Sequence, residues 1–185
     1  METKEYARKE VGEDGSVRYY DAEEWLHRED GPAVELPDGY RAWYRNGQRH
    51  REDGPAIEDA DGYRAWYRNG QRHREDGPAY EGADGCREWY RNGEYHREDG
   101  PAVEEPNGTK MWYRNGKLHR LDGPAYEGAN GTKMWYREDE LHREDGPAIE
   151  RSDGRKEYWL SGKQMTEEEF RAVHPEEEEC TPGPV

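Results

Sequence analysis

Six histidines stand at a constant 23-residue step, His27, His50, His73, His96, His119 and His142, each opening an Arg-x-Asp-Gly-Pro-Ala run. An imidazole close to a carboxylate is the combination used to ligate metals, to move protons and to activate nucleophiles. The spacing argues against a shared metal. Copies one β-hairpin apart lie roughly 9–10 Å from each other, twice the strand separation, whereas zinc ligands must each approach to about 2 Å. Catalysis by paired acids requires one pair with unequal environments, and here the acids recur at equivalent positions with no distinguished copy. The sequence contains no nucleophile elbow, no phosphate-cradling glycine loop and no CxxC pair. No catalytic residue, metal, cofactor or small-molecule substrate is therefore expected. The histidines are expected to be structural, each tying its own turn through one ring nitrogen to a neighbouring acid, as His50 would to Asp53.

A period held without slippage means one supersecondary unit copied and stacked. Asn69-Gly70, between an aromatic and a polar segment, is a strong hairpin signal, because both central residues of a type I′ turn need positive φ. The pair recurs at 46-47, 92-93 and 115-116. Asp-Gly-Pro-Ala marks a second turn, in which Gly77 is expected to relax φ while Pro78 fixes it, and Gly62 and its equivalents mark a third. The stretches between turns are too short for helices.

Within the aromatic segment, Trp43, Trp66, Trp89, Trp112 and Trp135 should face one side of a strand. Tyr44, Tyr67, Tyr90, Tyr113 and Tyr136 should face the other. One row is expected to be core and the other a cover or concave surface, with Ala56, Ala79, Ala102, Ala125 and Ala148 forming a second wall. Period-two logic separates the rows without saying which is buried. Tyr19 and Tyr20 align with Trp43 and Tyr44 once a single extra residue before Trp25 is allowed for. After Gly162, Thr166 and Glu169 form a capping box, and Phe170 is expected to sit on a short helix closing the end of the sheet. The expected organisation is a flank over residues 1–13, the array over 14–164, a capping helix over 165–175 and a flexible acidic tail over 176–185.

Only 30% of the chain is hydrophobic and 39% is charged, which is poor material for a deep core but adequate for a thin one. Seven Trp and fourteen Tyr placed mostly in register argue for order. The net charge is −16, of which −4 lies in residues 1–26 and −6 in residues 165–185. The intervening array mixes acids and bases as an ordinary solvated surface does. Nucleic acid would have to be held by the arginine row Arg45, Arg68, Arg91, Arg114 and Arg137 against a repelling field, so direct binding is not expected. No apolar run is long enough to cross a bilayer, and residues 1–10 carry no secretion pattern, so a cytoplasmic protein is expected. Cys86 and Cys180 are too few for a disulfide framework.

With Trp/Tyr-x-x-Asn-Gly-x-x-His and Asp-Gly at this period, the chain resembles the MORN (membrane occupation and recognition nexus) repeat family. Its His-Arg-x-Asp-Gly-Pro-Ala units are similar to those of uncharacterised bacteriophage and large-virus proteins. The resemblance implies an all-β fold, an elongated single-layer array of β-hairpins over about residues 14–164, used as a scaffold, dimerisation or partner-binding surface. It also implies a possible host-directed role and, for a viral protein, a host cytoplasm.

Two functions follow as expectations. The first is a non-enzymatic scaffold that binds another protein or a second copy of itself as a dimer, through Tyr44, Tyr67, Tyr90, Tyr113 and Tyr136. The second is an acidic DNA mimic that inhibits a nucleic-acid-binding host defence enzyme.

Overall fold

The computed structural model describes residues 6–174. The acidic tail and Cys180 lie outside them. The chain divides into two compact units, Met1–Lys117 and Leu118–Val185. Both are built from antiparallel hairpins, as the all-β reading expects, and the second ends in one short helix.

In the first unit a meandering sheet starts with Arg8–Val11 paired to Val17–Tyr20. It continues through Val34–Glu35, Arg41–Ala42, Ile57–Glu58 and Arg64–Ala65, then on to Lys110–Met111. The second unit runs Tyr126–Glu127, Lys133–Met134, Ile149–Glu150, Lys156–Leu160 and Lys163–Met165. The strand Arg8–Val11 extends the sheet into the expected N-terminal flank. Its residues are all exposed, so no hydrophobic pattern marks it in the sequence.

The aromatic segment is not one strand. Arg64–Ala65 belongs to the meander, whereas Tyr67–Arg68 pairs with Gln71–Arg72 in a separate two-stranded hairpin. Trp66 stands at the break, and its backbone holds both parts: its N–H donates to Ala79 O at 2.8 Å and its carbonyl accepts from His73 N–H at 3.1 Å. At the tip of the lateral hairpin, Asn69 and Gly70 have φ of 49° and 77°, the two positive values of a type I′ turn. Each lateral hairpin leans on the one before it, Gly70 N–H donating to Arg49 O and Arg51 N–H to Tyr67 O.

The core is thin and its floor is alanine. Ala33, Ala56, Ala79, Ala102, Ala125 and Ala148 are all fully buried. In the first unit Ala42 and Ala65 join Val34 and Ile57 in a cluster against which Tyr40, Tyr44, Tyr63 and Tyr67 pack. Cross-strand pairing explains the selection: Ile57 lies opposite Ala65 on the inner face while Glu58 lies opposite Arg64 on the outer face. The outer face is consequently a ladder of alternating charge, with Glu58 between Arg41 and Arg64 and Glu104 between Arg87 and Lys110.

Both ends modify the pattern. Tyr19 takes the tryptophan place, its N–H donating to Ala33 O and its carbonyl accepting from His27 N–H. At the other end Tyr158 takes that place, and the helix Glu167–Val173 lays Phe170 over it, ring centroids 5.0 Å apart. Thr166 and Glu169 form the expected capping box, so Phe170 closes its own chain. Where Asn-Gly becomes Glu138-Asp139, both residues keep positive φ, 54° and 68°, and Asp139 Oδ1 accepts from Leu118 N–H.

Ala79 has no exposed surface, so Ala79→Leu forces methylenes into a floor one side chain deep. Thermal unfolding followed by far-UV circular dichroism should show a loss of about 1–3 kcal/mol. An unchanged midpoint would show that the floor has spare volume.

Candidate functional site

The group that organises each repeat is an arginine the spacing did not single out. Arg51 donates through Nε to Asp53 Oδ1 at 2.9 Å and through a terminal nitrogen to Pro55 O at 3.1 Å and Glu58 Oε1 at 3.0 Å. Its guanidinium carbon lies 4.0 Å from the ring centre of Trp43. Arg74 and Arg97 repeat the arrangement over Trp66 and Trp89, and Arg143 over Trp135. Arg28 does the same over Tyr19 at 4.1 Å. A planar cation stacked on an indole and forked onto two carboxylates and a carbonyl is geometry that lysine cannot reproduce.

This clamp gives the Asp-Gly-Pro turn a different reason for its glycine. Gly77 does not have positive φ, contrary to the expectation from sequence. A Cβ placed on it would stand 2.9 Å from the Arg74 guanidinium carbon, so the glycine makes room for the stacked cation. The sequence did contain a signal, since the arginine always follows the tryptophan by eight residues and precedes a glutamate by seven. Neither offset is a familiar motif.

The histidines meet a partner other than the one expected. His50 Nδ1 accepts from the backbone N–H of Asn69 in the next hairpin at 3.1 Å, while Asp53 is held by Arg51. His27, His73, His96 and His142 accept in the same way from Asn46, Asn92, Asn115 and Ser161. The other ring nitrogen, Nε2, lies 3.3 Å from Glu52 in His50 and 3.2 Å from Glu144 in His142, and His50 Nδ1 also lies 2.9 Å from Asn69 Oδ1. His119 departs from this, its Nδ1 lying 2.9 Å from a Glu138 carboxylate oxygen. Among the described residues no three His, Cys, Asp or Glu side chains are grouped to hold a metal ion.

The two aromatic rows have different surroundings. Tyr44, Tyr67, Tyr113 and Tyr136 are half-buried and Tyr90 is buried. Tyr90 donates to Glu88, receives Arg72, and stacks on Tyr95, which stacks on Tyr113. Burial pushes the phenols of Tyr90 and Tyr136 above the ordinary tyrosine range. Of this row, Tyr44 and Tyr67 pack against the core cluster and Tyr90 is buried. Cys86 lies at the edge of the same face, where partial burial and nearby Glu88 push its thiol up, away from a reactive thiolate.

The tryptophan row faces a series of open clefts. In the first unit three of them, of about 680, 620 and 760 Å³, are lined in turn by Trp43, Trp66 and Trp89. Their walls are successive Arg-Glu-Asp-Gly-Pro turns. A cleft of about 600 Å³ in the second unit is lined by Trp135, with exposed Leu121 where other turns carry glutamate. Around these clefts Arg45, Arg68, Arg91 and Arg137 are about half exposed and lie 3.4–3.9 Å from Glu52, Glu75, Glu98 and Glu144.

No protein-family model matches the chain, and no curated protein matches it in sequence. Among the described residues no helix is long and apolar enough to cross a membrane.

Two tests bear on the clamp. Gly77→Ala should destabilise the protein by about 1–2 kcal/mol, and in Arg74→Ala the same change should cost little; additive effects in this cycle would return the glycine to a backbone role. Hydrogen bonds from their arginines hold Asp53, Asp76, Asp99, Asp122 and Asp145 below the usual aspartate range. A carboxylate whose pKa is depressed by folding stabilises the fold above its unfolded value of about 3.9, and that contribution is lost as pH falls through the lower folded value. Urea midpoints should therefore hold steady down to about pH 4 and fall below it, and Asp76→Asn should flatten the fall.

Proposed function

We propose that the chain is a MORN-like repeat protein without catalytic activity, a protein-binding or self-associating scaffold working in the cytoplasm, that of the host if the protein is viral. The observation that carries this reading is the repetition of the clefts. Trp43, Trp66 and Trp89 present the same indole, turn and charged rim three times in succession, which lets many weak contacts add along one partner. Catalysis gains nothing from equivalent copies, and the turn aspartates are each engaged by an arginine of the same repeat. The recognition surface in this reading is the tryptophan face, because Tyr44 and Tyr67 pack on the core cluster.

A second reading, the acidic nucleic-acid mimic, draws on the turn carboxylates, Asp53, Asp76 and Asp99 being more than four-fifths exposed. Each of them is already bonded to an arginine, and the outer sheet face alternates in sign.

A photo-crosslinking residue placed at Glu75, on a cleft rim, and separately at Asp84, on a sheet turn, tests the scaffold in lysate at about 0.15 M and 0.5 M salt. The scaffold reading expects adducts from Glu75 that survive salt, or a self-adduct matched by a dimer mass in light scattering. Adducts only with nucleic-acid-binding proteins, lost at high salt, would favour the mimic. A monomer without adducts would count against both.

A further inference from the structure

Three clefts in the first unit combine features that together define a ligand. The first is pitch. Each repeat contributes two strands to the meander, so equivalent points recur about every 9–10 Å. A polyproline II helix advances about 3.1 Å per residue with three residues per turn, or about 9.3 Å per turn. Residues i, i+3 and i+6 of such a helix therefore fall in register with Trp43, Trp66 and Trp89.

The second feature is an available donor in each cleft. Among the described residues no group accepts from the indole N–H of Trp43, Trp66 or Trp89, and these nitrogens are not among the buried unpaired polar atoms. An indole that offers a flat apolar surface and one N–H suits a polyproline II ligand, whose rings need a surface and whose carbonyls are unpaired. Strand addition does not apply on this face, which is not a sheet edge.

The third feature is charge. Each cleft rim carries Glu and Asp from two turns, with Glu75 77% and Asp76 84% exposed. The clamp arginines that might offset them are turned inward, Arg51 and Arg74 being only 21% and 23% exposed. The one outward cation lining the middle cleft, Arg68, lies 3.7 Å from Glu75. The lining of the middle cleft sets four carboxylates, Glu52, Asp53, Glu75 and Asp76, against three arginines, Arg51, Arg68 and Arg74, so its formal charge is −1.

We infer that the tryptophan face over residues 28–99 binds a proline-rich basic segment in the polyproline II conformation, with successive turns of the ligand seated in successive clefts. This rests on the scaffold reading and specifies its partner. Prolines at every third position pack against the indoles on the side that the clamp arginine leaves uncovered, the N–H groups donate to ligand carbonyls, and lysines or arginines between them face the glutamate and aspartate rims.

The probe is a fluorescein-labelled peptide of five Pro-Pro-Arg triplets, titrated with the full chain and read by anisotropy and by tryptophan emission. Two control peptides keep one property each: Gly-Ser-Arg triplets keep the charge, and Pro-Pro-Glu triplets keep the conformation. The inference expects saturable binding of the first at least about tenfold tighter than either control, and weaker binding when the triplets are reduced to two. Glu52→Gln with Glu75→Gln, both exposed changes, should weaken binding about tenfold without moving the unfolding midpoint. Trp66→Phe, which keeps a ring but removes the donor, should weaken it about threefold. Equal binding of the Gly-Ser-Arg peptide would overturn the inference in favour of simple charge attraction. No binding of any peptide, with Glu75 adducts still formed in lysate, would overturn it and leave the scaffold reading standing. No binding and no adducts would sink both.

Discussion

Everything in a repeat is arranged around one guanidinium lying flat on one indole. Arg51 on Trp43, and its equivalents along the chain, fix the turn that follows through Asp53 and Pro55 and fix the sheet through Glu58. A cation–π contact is worth about 0.5–2 kcal/mol depending on its desolvation. The further effect is geometric: one side chain joins the aromatic segment, the turn and the outer face of the sheet. Remove it and the turn loses its anchor while Glu58 loses a partner.

That arrangement explains how so polar a chain folds. Its apolar interior is a floor of alanines with one layer of Val, Ile and Tyr above it, too thin to fix a unique structure by burial alone. The charged residues complete the fold by pairing. On the outer face glutamates alternate with arginines and lysines from Glu35 to Lys110 and again from Glu127 to Lys156, so opposite charges face each other across those strand pairs. At the two ends, where a clamp cannot be made with a tryptophan, the same surface is covered by other means, Arg28 over Tyr19 and Phe170 over Tyr158.

Much of this was legible in the sequence. Asn69-Gly70 announces its type I′ turn, Thr166 and Glu169 announce their capping box, and the offset at Tyr19 marks the first repeat, because each depends on a few adjacent residues with strong local preferences. Long-range partnerships were not legible. That His50 would reach forward to Asn69, that Arg51 would cover Trp43, and that Gly77 answers to the size of the Arg74 side chain are consequences of how side chains pack, which no local preference announces. Period-two reasoning placed the tyrosines and tryptophans on opposite faces without indicating which would meet the core. The aromatic segment breaks at its tryptophan, which puts Tyr44 and Tyr67 in lateral hairpins, and both pack against the cluster of Val34, Ala42, Ile57 and Ala65. The clefts were invisible for the same reason, since they exist only between consecutive turns.

The forward reach of each histidine has an evolutionary consequence. His50 and Arg51 take their backbone partners from the following hairpin, and Gly70 takes its own from the preceding one. Excision of residues 50–72 would leave Gln48-Arg49 directly before His73, in the places that Gln71-Arg72 fill now, so every junction would again find a matching partner. Near-identical stretches of coding sequence recombine with one another readily. A protein whose contacts all obey the same offset can therefore lengthen or shorten by whole rungs in a single genetic event, and the number of clefts it presents becomes a quantity that selection can adjust.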